Sequence, residues 1–213
     1  MSNQRFFTRD KLSKIGLFLA SACVILNLIN FCFNTFVYGI TTTGILNYAI
    51  NIIFYIIIAM NFNKAKGNFY FAYVAILMLI ISDYVFPAII DLISVISSSI
   101  INMQIDFYIL SVSTILGIIY FILLCLENKK RSSGYLVGLI VVGSIMFVLG
   151  LVSFILTTII GVQGIIAIIS SGSFTVNVFV QIFMYIVKML ISLTSIGFTV
   201  IYFMYPIIMK KTW

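Results

Sequence analysis

Two runs in this sequence, IIFYIIIAM at 52–60 and LIVVGSIMFVLGLV at 139–152, place an apolar or very small side chain at every successive position. A segment apolar on all sides needs apolar surroundings on all sides, which means the middle of a large core or lipid. The chain is 213 residues long, 63% hydrophobic and only 8% charged, with a mean hydropathy of +1.25. Soluble domains are about half apolar and about a quarter charged. Lipid is therefore the expected surrounding, and there every backbone polar group must be paired within the protein, by helices or by a closed barrel. Barrel strands alternate apolar and polar residues over about ten positions, and these runs do not alternate. The expected class is an all-α integral membrane protein with no soluble domain, residues 1–213 forming one polytopic domain.

Charge then sets topology. The formal charge of +7 would point to nucleic acid in a soluble protein. Here the basic residues fall in short clusters between apolar spans, and no nucleic-acid partner is expected. The clusters are the N-terminus, the 61–68 loop, the 127–134 loop and the C-terminus, whereas the three alternate connections contain no Lys or Arg. By the positive-inside rule, both termini are cytoplasmic and six helices cross the membrane, at about 15–37, 44–60, 69–90, 108–126, 135–160 and 176–209. The expected location is the cell membrane.

Ala20-Ser21-Ala22-Cys23 follows a basic flank in the manner of a lipoprotein cleavage box. The apolar run continues past it, however, so a first transmembrane helix is preferred. Pro87 is expected to bend the third span. The linker 91–107 reads as a short interfacial helix, and Glu127 to Arg131 as a charged loop. Segment 161–174, GVQGIIAIISSGSF, reads as an outer surface loop in preference to a re-entrant segment. The last span, about 34 residues and roughly 50 Å as one helix, exceeds a hydrocarbon core of about 30 Å. It must tilt, project or break.

Absences narrow the chemistry. Without histidine, His-based metal sites and His general bases are excluded. Cys23, Cys32 and Cys125 lie within apolar spans without CxxC spacing and read as packing residues. No Walker motif is present. Asp83 and Asp91 share one helix, whereas intramembrane aspartyl proteolysis needs carboxylates on two. Span four has no arginine and 161–174 no TVGYG-like filter, which excludes a voltage-gated channel. The expectation is no enzyme, no metal and no cofactor.

A polar interior is nonetheless expected. Counted from the cytoplasmic edge at the helical rise, Asn27 lies at roughly 18 Å, Asn51 at about 20 Å, Asp83 at about 21 Å and Lys188 at roughly 27 Å. Asn27, Asn30 and Asn34 share one face of span one, and Asn47 and Asn51 one face of span two. Asn177, Gln181, Lys188, Ser192, Ser195 and Thr199 stripe span six. Residues three or four apart share a helical face, and polar stripes in lipid turn inward. Asp83 with Lys188 as its ion-pair partner, and Asn27, Asn30, Asn51 and Gln181, make an expected substrate-binding set. Lys188 has an interfacial alternative, its amine snorkelling outward. On span five, Leu139, Gly143, Met146, Gly150, Ser153 and Thr157 form a close-packing face, and Gly134-xxx-Gly138 is a GxxxG match expected to pack within the chain.

The function this favours is a small non-catalytic membrane subunit of a transport system. It would have an outward-facing polar pocket, with lipid around it and a membrane or ATPase subunit as partner. The alternative is a structural or accessory membrane protein, of an assembly or immunity type, whose polar residues only pack helices. In size and topology the chain resembles the substrate-binding membrane subunits of energy-coupling-factor vitamin transporters, with no shared motif.

Overall fold

A computed structural model describes residues 8–39, 42–87, 89, 105–130, 132–170 and 176–210. The described residues form helices α1 (Arg9–Tyr38), α2 (Thr42–Lys64), α3 (Tyr70–Ile80) with a π-helical turn at Ile81–Val85, α4 (Ile105–Lys130), α5 (Ser133–Ser170) and α6 (Val176–Lys210). Asp91 and the linker 91–104 lie outside the described residues, as do the side chains of Asn47 and Asn177.

Local chemistry starts and stops these helices. The Thr8 hydroxyl accepts from the Lys11 N–H at the start of α1, with Asp10 in the first turn, where a carboxylate favours the helix dipole. Gly39, at φ 65°, follows the end of α1, a conformation that costs a glycine little. Asn68 accepts from the Tyr70 N–H before α3, and Ser132 from the Gly134 N–H before α5.

Four helical stretches are long and apolar enough to cross a membrane: Arg9–Phe36, Val112–Lys130, Ser133–Ser170 and Val178–Lys210. Tyr48–Lys64 and Tyr70–Val85 are shorter apolar helices. The outward faces match this assignment, since Phe18 is 72% and Phe36 91% exposed, and Ile25, Ile53, Val112 and Ile155 also face outward. So much exposed hydrocarbon suits lipid and not water.

Each helix packs on its sequence neighbours, and α6 returns to α1, closing a ring. The second half of α6 fills the middle. Its Phe198, Ile201, Tyr202 and Tyr205 are buried, with Tyr55 stacked on Phe198 and Phe69 on Tyr205. Pro206 lies inside α6 and has no N–H to offer the carbonyl four residues back, that of Tyr202. The buried Tyr120 hydroxyl of α4 donates to that carbonyl at 2.8 Å. At the same end of the bundle's core, the Ser13 hydroxyl of α1 donates to the Phe62 carbonyl of α2. The expected close-packing face of α5 holds from Leu139 to Gly150: Leu139, Gly143 and Met146 are buried, with Gly143 against the Tyr202–Phe203 backbone and Gly150 against Thr199, whereas Ser153 is exposed and lines a cavity. Gly138 lies against Leu123 of α4, so this end of the GxxxG match packs within the chain.

Two expectations are corrected. Residues 161–170 are not a loop, because α5 runs unbroken for 38 residues, about 57 Å. Gly161 and Gly164 mark close approach to Met189 and Tyr185 of α6, not a turn. Glu127 to Lys130 is not a loop either. Helix α4 continues to Lys130, and Glu127 is 2% exposed.

Candidate functional site

Pro87 explains where the polar interior forms. An α-helix would need the residue at 87 to donate to the Asp83 carbonyl, and proline lacks that N–H and crowds the carbonyl. The chain widens instead into a π turn, in which the Phe86 N–H reaches back five residues to the Ile81 carbonyl. Such turns recur at functional sites. This one carries Ser82, Asp83 and Tyr84. Tyr84 can pack against α4 only because Gly117 has no side chain, since a Cβ there would come within 2.3 Å of the Tyr84 ring.

Asp83 lines a cavity of about 290 Å³ bounded by α1, α2, the π turn and α6. Its Oδ1 accepts from the Tyr55 hydroxyl at 3.0 Å. The Tyr55 ring stacks on Phe198 with centroids 5.9 Å apart and planes 11° from parallel, so the hydroxyl is held in place. Asn27 and Asn51 line the same cavity, with Cys23, Thr194 and Ser195. The donors with defined bonds are turned to protein acceptors. Asn27 donates to the Cys23 carbonyl (2.9 Å), Cys23 Sγ to Thr194 Oγ1 (3.2 Å) and Thr194 to the Ile191 carbonyl (2.7 Å). No Lys or Arg lines the cavity among the described residues.

A second cavity, about 190 Å³, lies on the other side of α6 towards α4 and α5. Asp83 and Ser195 line both cavities. The remaining polar lining of the second comes from Tyr84, Ser113, Ser153, Ser192 and Thr199.

No protein-family model, curated protein or solved structure matches this chain. Its chemistry must be read from the site itself.

The six expected site residues divide three ways. Asp83, Asn27 and Asn51 come together in the first cavity. Lys188 and Gln181 line a separate space of about 250 Å³ with Asn34, Met184 and Tyr185. Asn30 belongs to neither. Its amide donates to the Tyr48 hydroxyl at 3.2 Å, as does that of Asn34 at 3.0 Å, which ties α1 to α2.

The expected Asp83–Lys188 ion pair does not form. The one ion pair among the described residues is Lys14–Asp10, at 2.7 Å on the surface. The reason lies in helical position. The turn of α6 facing Asp83 holds Thr194 and Ser195, and Lys188 precedes Ser195 by two turns, about 10 Å along the axis. Its side chain is exposed. Tyr55 is the contact that sequence reasoning missed. It lies one turn after Asn51, on the same helical face, but its aromatic ring hid the hydroxyl within an apolar run.

Proposed function

We propose that the chain is a small non-catalytic membrane subunit of a transport system, binding a small solute in the cavity at Asp83. The observation that carries the reading is the cavity itself. Polar side chains from four packed elements converge on one carboxylate, where lipid-embedded packing alone would favour apolar contact. At about 290 Å³ the space lies at the lower end of small-molecule sites, which fits a metabolite-sized ligand and not a lipid. Six spans, cytoplasmic termini and the cell membrane remain part of the proposal, supported by the alternation of basic and uncharged connections. With no nucleotide motif in the sequence, energy would come from a partner membrane or ATPase subunit.

Water accessibility tests the reading. In a background lacking Cys23, Cys32 and Cys125, Ser195→Cys should react with a membrane-impermeant thiol reagent added outside intact cells. Ile53→Cys, on the lipid face of α2, should not. An unreactive Ser195→Cys would remove the outward-open pocket.

A structural or accessory role is the second reading. It is favoured by the Asn30–Tyr48, Asn34–Tyr48 and Tyr120–Tyr202 bonds, in which polar side chains do no more than join helices.

A further inference from the structure

We infer that the solute held at Asp83 is a small organic ammonium ion, with its charged nitrogen at the carboxylate and a short apolar body against Phe198, Ile191 and Pro87. The inference rests on the cavity being a solute site. Its first support is charge. The cavity has one formally anionic side chain and no lining Lys or Arg among the described residues, and a carboxylate at membrane depth calls for a counter-charge. Lys188, the cation expected to supply it, lines a different space.

Hydrogen-bonding capacity is the second support. Tyr55 donates to Oδ1 of Asp83, and the carboxylate lines the cavity with Oδ2 as a further acceptor. The thiol of Cys23 and the hydroxyl of Thr194 are spent on neighbouring acceptors, and the Asn27 amide gives one hydrogen to its own helix. The Asn27 amide oxygen remains as a further acceptor. An ammonium group offers N–H donors and a positive charge to such a set, and the Ser82 and Ser195 hydroxyls in the lining can accept as well as donate, whereas an anionic solute would meet repulsion from Asp83.

Size and wall chemistry exclude two other cations. A divalent metal would find a single carboxylate, and no three metal-ligating side chains of the His, Cys, Asp and Glu types cluster among the described residues. A bare alkali ion would leave most of the roughly 290 Å³ unfilled. The stacked Tyr55 and Phe198 rings suit the hydrocarbon of an alkylammonium, and aromatic faces attract cations.

The test uses the full chain in lipid nanodiscs and three probes of similar shape: n-butylammonium, 1-butanol and butyrate. Binding is read by calorimetry and by the shift in thermal midpoint. The expected result is binding of n-butylammonium alone, weakened about tenfold to a hundredfold by Asp83→Asn and abolished by Ser195→Phe, which fills the cavity. Size-exclusion profiles and thermal midpoints establish that both variants are folded. Binding of butanol or butyrate that Ser195→Phe abolishes and Asp83→Asn does not weaken would overturn the ammonium assignment and leave the solute site standing. Absence of binding by n-butylammonium would overturn the assignment as well. Ammonium binding indifferent to both substitutions would overturn it together with the solute site.

Discussion

The Tyr202 carbonyl offers the sharpest test of how this bundle is held together. Pro206 cannot donate to it, and the Tyr120 hydroxyl does so across the helix interface at 2.8 Å. Tyr120→Phe keeps the ring, and with it the contact to Tyr202 at 5.3 Å between centroids. It removes only the donor. Tyr120 and Tyr202 are both 0% exposed, so water cannot replace the bond, and an orphaned buried acceptor costs about 1–3 kcal/mol. Pro206→Ala supplies the missing N–H within α6, from residue 206 to the carbonyl at 202. In that background Tyr120→Phe should cost only a few tenths of a kcal/mol, because the carbonyl keeps a partner. The predicted coupling between the two sites is therefore about 1–2 kcal/mol. It is measured by unfolding wild type, both single variants and the double variant in increasing mole fractions of a denaturing detergent. The sign of the Pro206→Ala effect alone is immaterial, since relief of the backbone and loss of ring packing oppose each other. Equal cost of Tyr120→Phe in both backgrounds would refute the reasoning.

Three further outcomes follow from the same packing. Gly117→Ala brings a Cβ within 2.3 Å of Tyr84 Cγ and 2.6 Å of its Cβ; overpacking of about 1–3 kcal/mol should outweigh the gain of about 1 kcal/mol in helix propensity. Gly138→Ala meets only the Leu123 side-chain tip at 3.2 Å and should be neutral or stabilising, so equal effects of the two in thermal unfolding would contradict the described approach of the π turn to α4. Asp83→Asn and Lys188→Met should add within about 0.5 kcal/mol in the double variant, because the two groups line different cavities; a double variant more stable than the sum would restore the ion pair. Cysteines at Ser132 and Gln163, 31 residues apart on or beside α5 and thus separated by about 46 Å, should label from opposite sides of the membrane, and labelling from one side would remove the six-span topology.

Much of the bundle can be read from residue order, because lipid reduces the problem to helix length, charge and face. Counting rise along three helices placed Asn27, Asn51 and Asp83 at one height, and the cavity contains all three. The same counting failed for Lys188. A stripe on a 35-residue helix shows which side chains share a face, but it leaves open which turn of that face lies opposite a given residue on another helix. Two turns of error separated a lysine at the carboxylate from a serine there. Gly161 and Gly164 misled for a different reason. Glycine permits both a turn and a close helix contact, and only the position of Met189 and Tyr185 on α6 decides between them. Glu127 misled in turn, since a carboxylate beside three basic residues reads as solvated until the neighbouring helices bury it.

The two prolines show why the bundle is built tightly in one place and open in another. Each frees a carbonyl four residues back, Tyr202 for Pro206 and Asp83 for Pro87. At Tyr202 the response is a donor from α4, 0% exposed, whose ring also packs against that of Tyr202. That solution closes the core and leaves no room for a ligand. At Asp83 the response is a wider backbone turn, and the space beside it remains a cavity on each side of α6. A chain needing only a stable bundle could have closed both. Retaining a carboxylate at the open one carries a desolvation cost that packing does not return, and this asymmetry is what favours the solute-binding reading over a purely structural one.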